Sequence, residues 1–311
     1  MSSSSYDALR DRAAWIDLTG RGKLRATGED RARLLHSMTT NDIQALVPGE
    51  GCYAFFLTAQ GRILGDANIF CMTDYLLIDT EPEIKQRIYE HLDKYIIADD
   101  VMLHDFTKDY ASINVEGPGT EEVLKSLHIP VAHAACSIAE WSHCEVAHIS
   151  YTGQVGYSFF VPCEHKADLV AKLAAAGIPE ADLSTAEVVR IENGKPKYGV
   201  DITETTLPQE TQLMHAVHSS KGCYLGQEIV ERIRSQGRVN KVIAPMEIDG
   251  TVPPTAGTKV ETAGKDVGVV TSAVFSAARG KVVALGIIRA EAIGQPLTIA
   301  GAGAIAGRAG K

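Results

Sequence analysis

The sequence predicts an α+β fold, two lobes of strand–helix–strand units followed by a small all-β barrel or sandwich. Three observations carry this. Short apolar runs of strand length alternate with helical patterns in two successive rounds. Helical periodicity is lost after Lys241, where Val/Ile-rich runs are broken by Gly and Pro, as in Pro253-Pro254-Thr255-Ala256-Gly257. No Gly-x-Gly-x-x-Gly or Gly-x-x-x-x-Gly-Lys loop occurs, so a doubly wound nucleotide-binding sheet has no support. At 311 residues the chain exceeds one average domain, and the change of pattern divides it into residues 1–240 and 241–311.

Trp15-Ile16-Asp17-Leu18 is the first extended segment, and Gly20, Gly22 and Gly28 punctuate the stretch after it. Glu29-Asp30 lead a helix through Ala32, Leu34, Leu35 and Met38, with the acids at its positive end. Thr39-Thr40-Asn41-Asp42-Ile43 closes it. Cys52–Leu57, Ile63–Phe70 and Tyr75–Asp79 read as strands, with Gln60-Gly61 as the first turn. Ile84, Ile88, Leu92 and Tyr95 form one stripe of a helix from Glu83 to Tyr95. The second round has strands Ala111–Val115, Glu145–Ile149 and Tyr157–Val161, and helices Gly119–Leu127 and Ala167–Ala176. The Ala/Gly-rich end, Gly301–Lys311, reads as frayed.

Composition narrows the function. A hydrophobic share of 45% and a charged share of 22% are those of an ordinary soluble protein. A formal charge of −9 argues against a broad nucleic-acid surface. Arg232, Arg234, Arg238 and Lys241 form the densest basic cluster, for which a solvated helix face is the common explanation. The start Met1–Tyr6 shows no secretory pattern and no run is long enough to span a bilayer, so a cytoplasmic protein without membrane partners is expected. The six cysteines are scattered without a Cys-x-x-Cys pair, and the ten histidines form no His-x-x-x-His pattern. Neither a disulfide framework nor a local zinc or iron–sulfur motif is expected.

The most informative segment is Lys221-Gly222-Cys223-Tyr224-Leu225-Gly226-Gln227-Glu228. Gly222 and Gly226 permit a tight exposed loop, and the apolar spacing from Ile229 to Ile233 makes a helix that Gly237 stops. A thiol in that loop feels Lys221 and the positive helix end, both of which favour thiolate. A free cysteine in a turn is the plain alternative. The string resembles the K-G-C-Y-x-G-Q-E signature of the YgfZ family, folate-binding proteins that support iron–sulfur enzymes, and matches it without a break.

The wider chain resembles the superfamily that joins YgfZ proteins to the T-protein of the glycine cleavage system, an aminomethyltransferase. Thr39–Ile43 is similar to the T-protein's T-N-D block, and Tyr53–Asp66 to the hairpin next to it. Tyr151–Tyr157 resembles Y-T-G-E-D-G, and Arg190–Gly194 with Tyr198–Ile202 resembles R-x-E-x-G…Y-G. Gly268–Ser272 and Ala284–Gly286 resemble strands of the terminal barrel. The resemblance implies a ring of two ferredoxin-like α+β lobes plus a C-terminal β-barrel, around a central tetrahydrofolate pocket. Three departures favour the YgfZ branch. Gln154-Val155 replace Glu-Asp, Gly65-Asp66 keep one carboxylate of a pair, and the Cys223 motif is added.

By this resemblance Asp66 addresses folate, with Tyr53 offering a ring or hydroxyl to the pterin. Both residues also have plainer readings, a turn-end carboxylate and core packing. Glu192 receives a weak functional vote, since it and Arg190 also pair as a structural ion pair. Arg232 either makes a salt bridge with Glu228 one helical turn earlier or holds the glutamate tail of folate. Cys223, with Lys221 as activator, is the expected reactive group. Mixed-disulfide formation, transient cluster holding and one-carbon adduct chemistry are all open to such a thiol. The resemblance implies iron–sulfur clients or assembly proteins as partners, including tRNA-modifying enzymes. The alternatives are a true aminomethyltransferase and a folate-binding scaffold without turnover.

Overall fold

The computed structural model describes residues 3–237 and 239–307. The chain divides into two units: Met1–Thr58, Leu64–Ala186 and His215–Leu225 form one, and Ala59–Ile63, Glu187–Met214 and Gly226–Lys311 the other.

The first unit holds two α+β lobes. Its elements begin with α1 (Ser3–Asp11), β1 (Ala14–Asp17), β2 (Gly22–Thr27), α2 (Arg31–Met38), β3 (Gly51–Leu57), β4 (Ile63–Cys71), β5 (Leu76–Thr80), α3 (Lys85–Asp93) and β6 (Met102–Asp105). The second lobe adds β7 (Tyr110–Glu116), α4 (Thr120–Ser126), β8 (Ile138–Trp141), β9 (Cys144–Ala147), β10 (Gly156–Pro162) and α5 (Lys166–Ala175). One sheet runs β3-β4-β5-β2-β6, the other β1-β7-β10-β9-β8. The second is built on β7, whose Ile113 lies opposite Asp17 on β1 and Phe159 on β10 in antiparallel register.

Period-two alternation explains the β7 faces. Ala111, Ile113 and Val115 enter a core with Tyr157, Phe159, Leu169 and Leu173. Ser112, Asn114 and Glu116 point the other way and are buried as well. The helices obey their apolar spacing: α3 buries Ile88 and Leu92, and α5 buries Leu169 and Leu173. Phe70 and Leu77 of one sheet share a core with Ile138, Ala147 and Phe160 of the other.

The segment Leu183–Glu192 forms α6, and Gln227–Gln236 forms α7. The second unit is dominated by a closed barrel of β11 (Lys241–Ile248), β14 (Lys281–Arg289), β13 (Lys265–Ser276), β12 (Lys259–Thr262), β15 (Pro296–Ile299) and β16 (Ala302–Ala306). Closure removes the sheet edges, and Ala244, Met246, Val270, Val282 and Ile288 fill the inside. Two lobes plus a terminal barrel are the expected α+β class. The expectation of a frayed end is corrected: Ala302–Ala306 pairs with β15 on one side and β11 on the other, because β16 is the strand that closes the barrel. Residues 308–311 of that stretch lie outside the described residues.

Among the elements without a clear sequence pattern are α1, β2, β6, β8 and α6. In β2, Lys23 is fully buried. Its ammonium donates to the carbonyls of Thr19 (3.0 Å) and Arg21 (2.8 Å), and burial brings it down to about 8.

Candidate functional site

Asp66 on β4 and Tyr53 on β3 are brought together. The two strands are neighbours in the sheet, and the Tyr53 hydroxyl donates to Asp66 Oδ2 at 2.5 Å. Asp66 is only 8% exposed, so this bond offsets part of the cost of taking a carboxylate out of water. Burial, and then the carboxylate itself, push the Tyr53 phenol well above its usual range, so it stays a donor. The half-buried Tyr53 ring meets Phe55 edge-on at 5.5 Å and His215 at 5.7 Å. The arrangement is a held carboxylate with an aromatic wall, suited to a flat ligand carrying N–H donors.

The same unit places the cysteine loop against the end of α2. Gly222 has φ +100°, a region where L side chains are strained, and Cys223 at the apex is exposed. Lys221 is not spent on that thiol. It is 9% exposed, and its ammonium donates to the carbonyls of His36 and of Thr39 (2.6 Å), 4.9 Å from the Tyr224 ring. Burial lowers it to about 8, while Asp42 and the Cys52 thiol act in the opposite direction. The ammonium expected to favour a Cys223 thiolate is thus held on the backbone carbonyls at the end of α2. The last carbonyls of a helix lack intrahelical donors, and an ammonium is drawn to them. On the expected helix, α7, Gly226 caps the start at φ +83° and Gly237 the end at φ +65°.

The remaining candidates lie in the other unit. Glu192 ends α6 and lines a cleft of about 240 Å³ with Pro245, Glu247 and Arg279. The expected Arg190–Glu192 pairing is replaced. Arg190 is 1% exposed and pairs with Glu187 at 2.6 Å and with Asp201 at 2.8 Å. Residues two apart on a helix do not face each other, whereas Glu187 is one turn back. Asp201 also accepts from Thr271 (2.5 Å) and Ser272 (2.7 Å) of β13. Arg232 is exposed on α7, and among the described residues no ion pair joins it to Glu228. Arg234 pairs with Glu231 instead, at 3.2 Å. Arg238 of the basic cluster lies outside the described residues.

Two residues escaped sequence reasoning. Glu116 is fully buried and accepts from Ser150, from the backbone N–H groups of Tyr151 and Thr152, and from the Thr152 hydroxyl. It shapes the Tyr151-Thr152-Gly153 turn, and the available signal was an acid inside an apolar strand just before Gly117-Pro118. Asn41 of the T-N-D block donates to the carbonyls of Tyr53 and His215, both at 3.0 Å, and so ties the two candidate regions together. Among the described residues no cluster of His, Cys, Asp and Glu could hold a metal, and no helix is long and apolar enough to cross a membrane.

Comparison with known proteins accounts for nearly the whole chain. Residues 2–221 match the GCVT N-terminal domain, and residues 241–306 match the glycine cleavage T-protein C-terminal barrel domain. An aminomethyltransferase of Rubrobacter xylanophilus is 26% identical over 301 residues, covering 94% of this chain and 80% of that one. An aminomethyltransferase of Chloroherpeton thalassium is 25% identical over 299 residues, covering 92% and 82%. In fold, the chain is similar to the glycine cleavage system aminomethyltransferase T of Bartonella henselae. The TM-score is 0.88 at 19% identity, with 98% of this chain and 87% of that one covered.

Proposed function

Because the chain belongs to the glycine cleavage T-protein family, we propose that it is a folate-binding protein of the YgfZ type, supporting iron–sulfur enzymes through a reactive cysteine. Residues 1–240 are its folate-binding body and residues 241–311 a separate barrel domain. Asp66 and Tyr53 take the pterin of tetrahydrofolate. The residues present fit such a group: a nearly buried carboxylate beside an aromatic ring matches a flat heterocycle with N–H donors. Bound tetrahydrofolate supplies one-carbon carriage. The chain's own part is to orient the pterin, with the Tyr53 hydroxyl fixing the rotamer of Asp66.

The observation that carries the reading is the exposed Cys223 on a loop whose flanks are both pinned: Lys221 to His36 and Thr39, and the Leu225 N–H to Ser37. A thiol needed only for packing has no reason to be presented this way. The clients are iron–sulfur enzymes, including those that modify tRNA.

A strain lacking the gene tests this. Activities of several iron–sulfur enzymes and thiomethylated tRNA should fall, wild-type protein should restore them, and Cys223→Ser should not while still binding tetrahydrofolate. Full restoration by Cys223→Ser would refute the reading.

The names of the relatives favour a second reading, an aminomethyltransferase. It predicts that the aminomethyl group of a lipoyl-carrying partner protein gives its methylene carbon to tetrahydrofolate, with release of ammonia and the dihydrolipoyl thiol, unaffected by loss of the Cys223 thiol. A folate-binding scaffold, by contrast, predicts stoichiometric binding and no turnover.

A further inference from the structure

The carbonyls at the C-terminal end of α2 are satisfied by the cysteine loop. Lys221 Nζ donates to the carbonyls of His36 and Thr39, and the Leu225 N–H donates to that of Ser37 at 3.0 Å. The contact is also made in reverse, since His36 Nε2 lies 2.9 Å from the Lys221 carbonyl. A carbonyl only accepts, so Nε2 carries the proton. The other ring nitrogen, Nδ1, is faced by Asp42 Oδ1 at 3.1 Å and by the Gln44 N–H at 3.4 Å. The Nε2 bond does not depend on which of these two groups Nδ1 engages.

We propose that His36 is a positioning residue for Cys223: with Lys221 it forms a two-way clamp that holds the thiol loop on the end of α2. Its backbone carbonyl takes the ammonium while its ring returns a hydrogen bond to the same residue. Gly222, Cys223 and Tyr224 then bridge two fixed points, Lys221 and Leu225. The seam continues through the His218 N–H to the Thr40 carbonyl (2.9 Å) and the Thr40 hydroxyl to the Ala216 carbonyl (2.6 Å). The inference deepens the reading of Cys223 as the reactive group and rests on it.

Hydrogen exchange of the full-length protein tests the clamp, because the Leu225 amide donates into the docked interface. Loss of one net hydrogen bond changes an opening equilibrium by about three- to tenfold. His36→Ala should raise exchange over residues 217–226 by that factor while amides of β7 and β10 keep their protection. His36→Gln, whose amide nitrogen reaches the place of Nε2, should restore the wild-type rate, and His36→Asn, which does not reach it, should not. This Gln–Asn contrast still decides the matter if the alanine variant folds poorly. Complementation of the deletion strain should run in the same order, Gln above Asn.

Wild-type exchange in both the Ala and Asn variants, or equal exchange in Gln and Asn, would overturn the clamp. Full complementation by Cys223→Ser would instead overturn the functional reading, and the exchange data would still judge the clamp.

Discussion

Asp66→Asn separates a ligand-binding carboxylate from a structural one. The substitution keeps the shape of the side chain and removes its charge. Asp66 is buried and held by the Tyr53 hydroxyl at 2.5 Å, so no large rearrangement is needed to accommodate it. A hydrogen bond to a charged group contributes about 1.5–3 kcal/mol. With tenfold per 1.4 kcal/mol, the loss predicts a rise of about 10- to 150-fold in the Kd for tetrahydrofolate. Calorimetric titration under anaerobic conditions reads it directly. A thermal readout agrees in scale, since ligand at 100 times Kd stabilises the wild type by about 2.7 kcal/mol. At the same concentration a variant weakened about thirtyfold gains only about 0.9 kcal/mol. Tyr53→Phe is the control: it leaves the carboxylate in place and should weaken binding by less. Unchanged affinity in Asp66→Asn would remove this residue from the site and with it the assignment of the pterin position.

The remaining predictions concern the thiols, the buried ion pair and the buried lysine. In native alkylation with peptide mapping, the exposed Cys223 and Cys163 should be labelled first. Cys52 and Cys144, whose thiols burial pushes up to about 12, should be labelled last, and equal rates for all six would contradict the described exposures. Asp201→Ala leaves the Arg190 guanidinium buried with its Asp201 partner gone, and should cost about 3–5 kcal/mol in chemical denaturation. A loss below about 1 kcal/mol would mean that Glu187 alone suffices. Lys221 titrates at about 8 when folded against 10.5 as a free side chain, so the unfolded state binds more protons between these values. The wild type should therefore gain stability relative to Lys221→Met as pH rises through that window, and a gap that widens in favour of the variant would be the wrong sign.

Legible and hidden elements separate along physical lines. The helix α7 and its glycine stop were readable because caps and period are local. The strands β3, β4, β5, β7 and β10 were readable because each is a short apolar run of the length a buried strand needs. β2 was hidden by Lys23 and Arg25, charges that strand patterns place in solvent. Lys23 is tolerated inside because two backbone carbonyls converge on its ammonium. β16, Ala302-Gly303-Ala304-Ile305-Ala306, has almost no side chains to form a pattern, and its two neighbours in the barrel create it.

The candidate site divides in the same way. Sequence alone determined the fold class, the family resemblance and the exposed Cys223 loop, since turn-forming glycines and a motif string need no distant partner. Tertiary structure decided which groups meet. Tyr53 reaches Asp66 only through the pairing of two strands, Arg190 selects Asp201 rather than Glu192, and the Lys221 ammonium finds its carbonyl partners at the end of α2. Each of these choices is made by a buried charge or a buried backbone carbonyl seeking a partner, and the partners become available only once the chain has brought distant segments together.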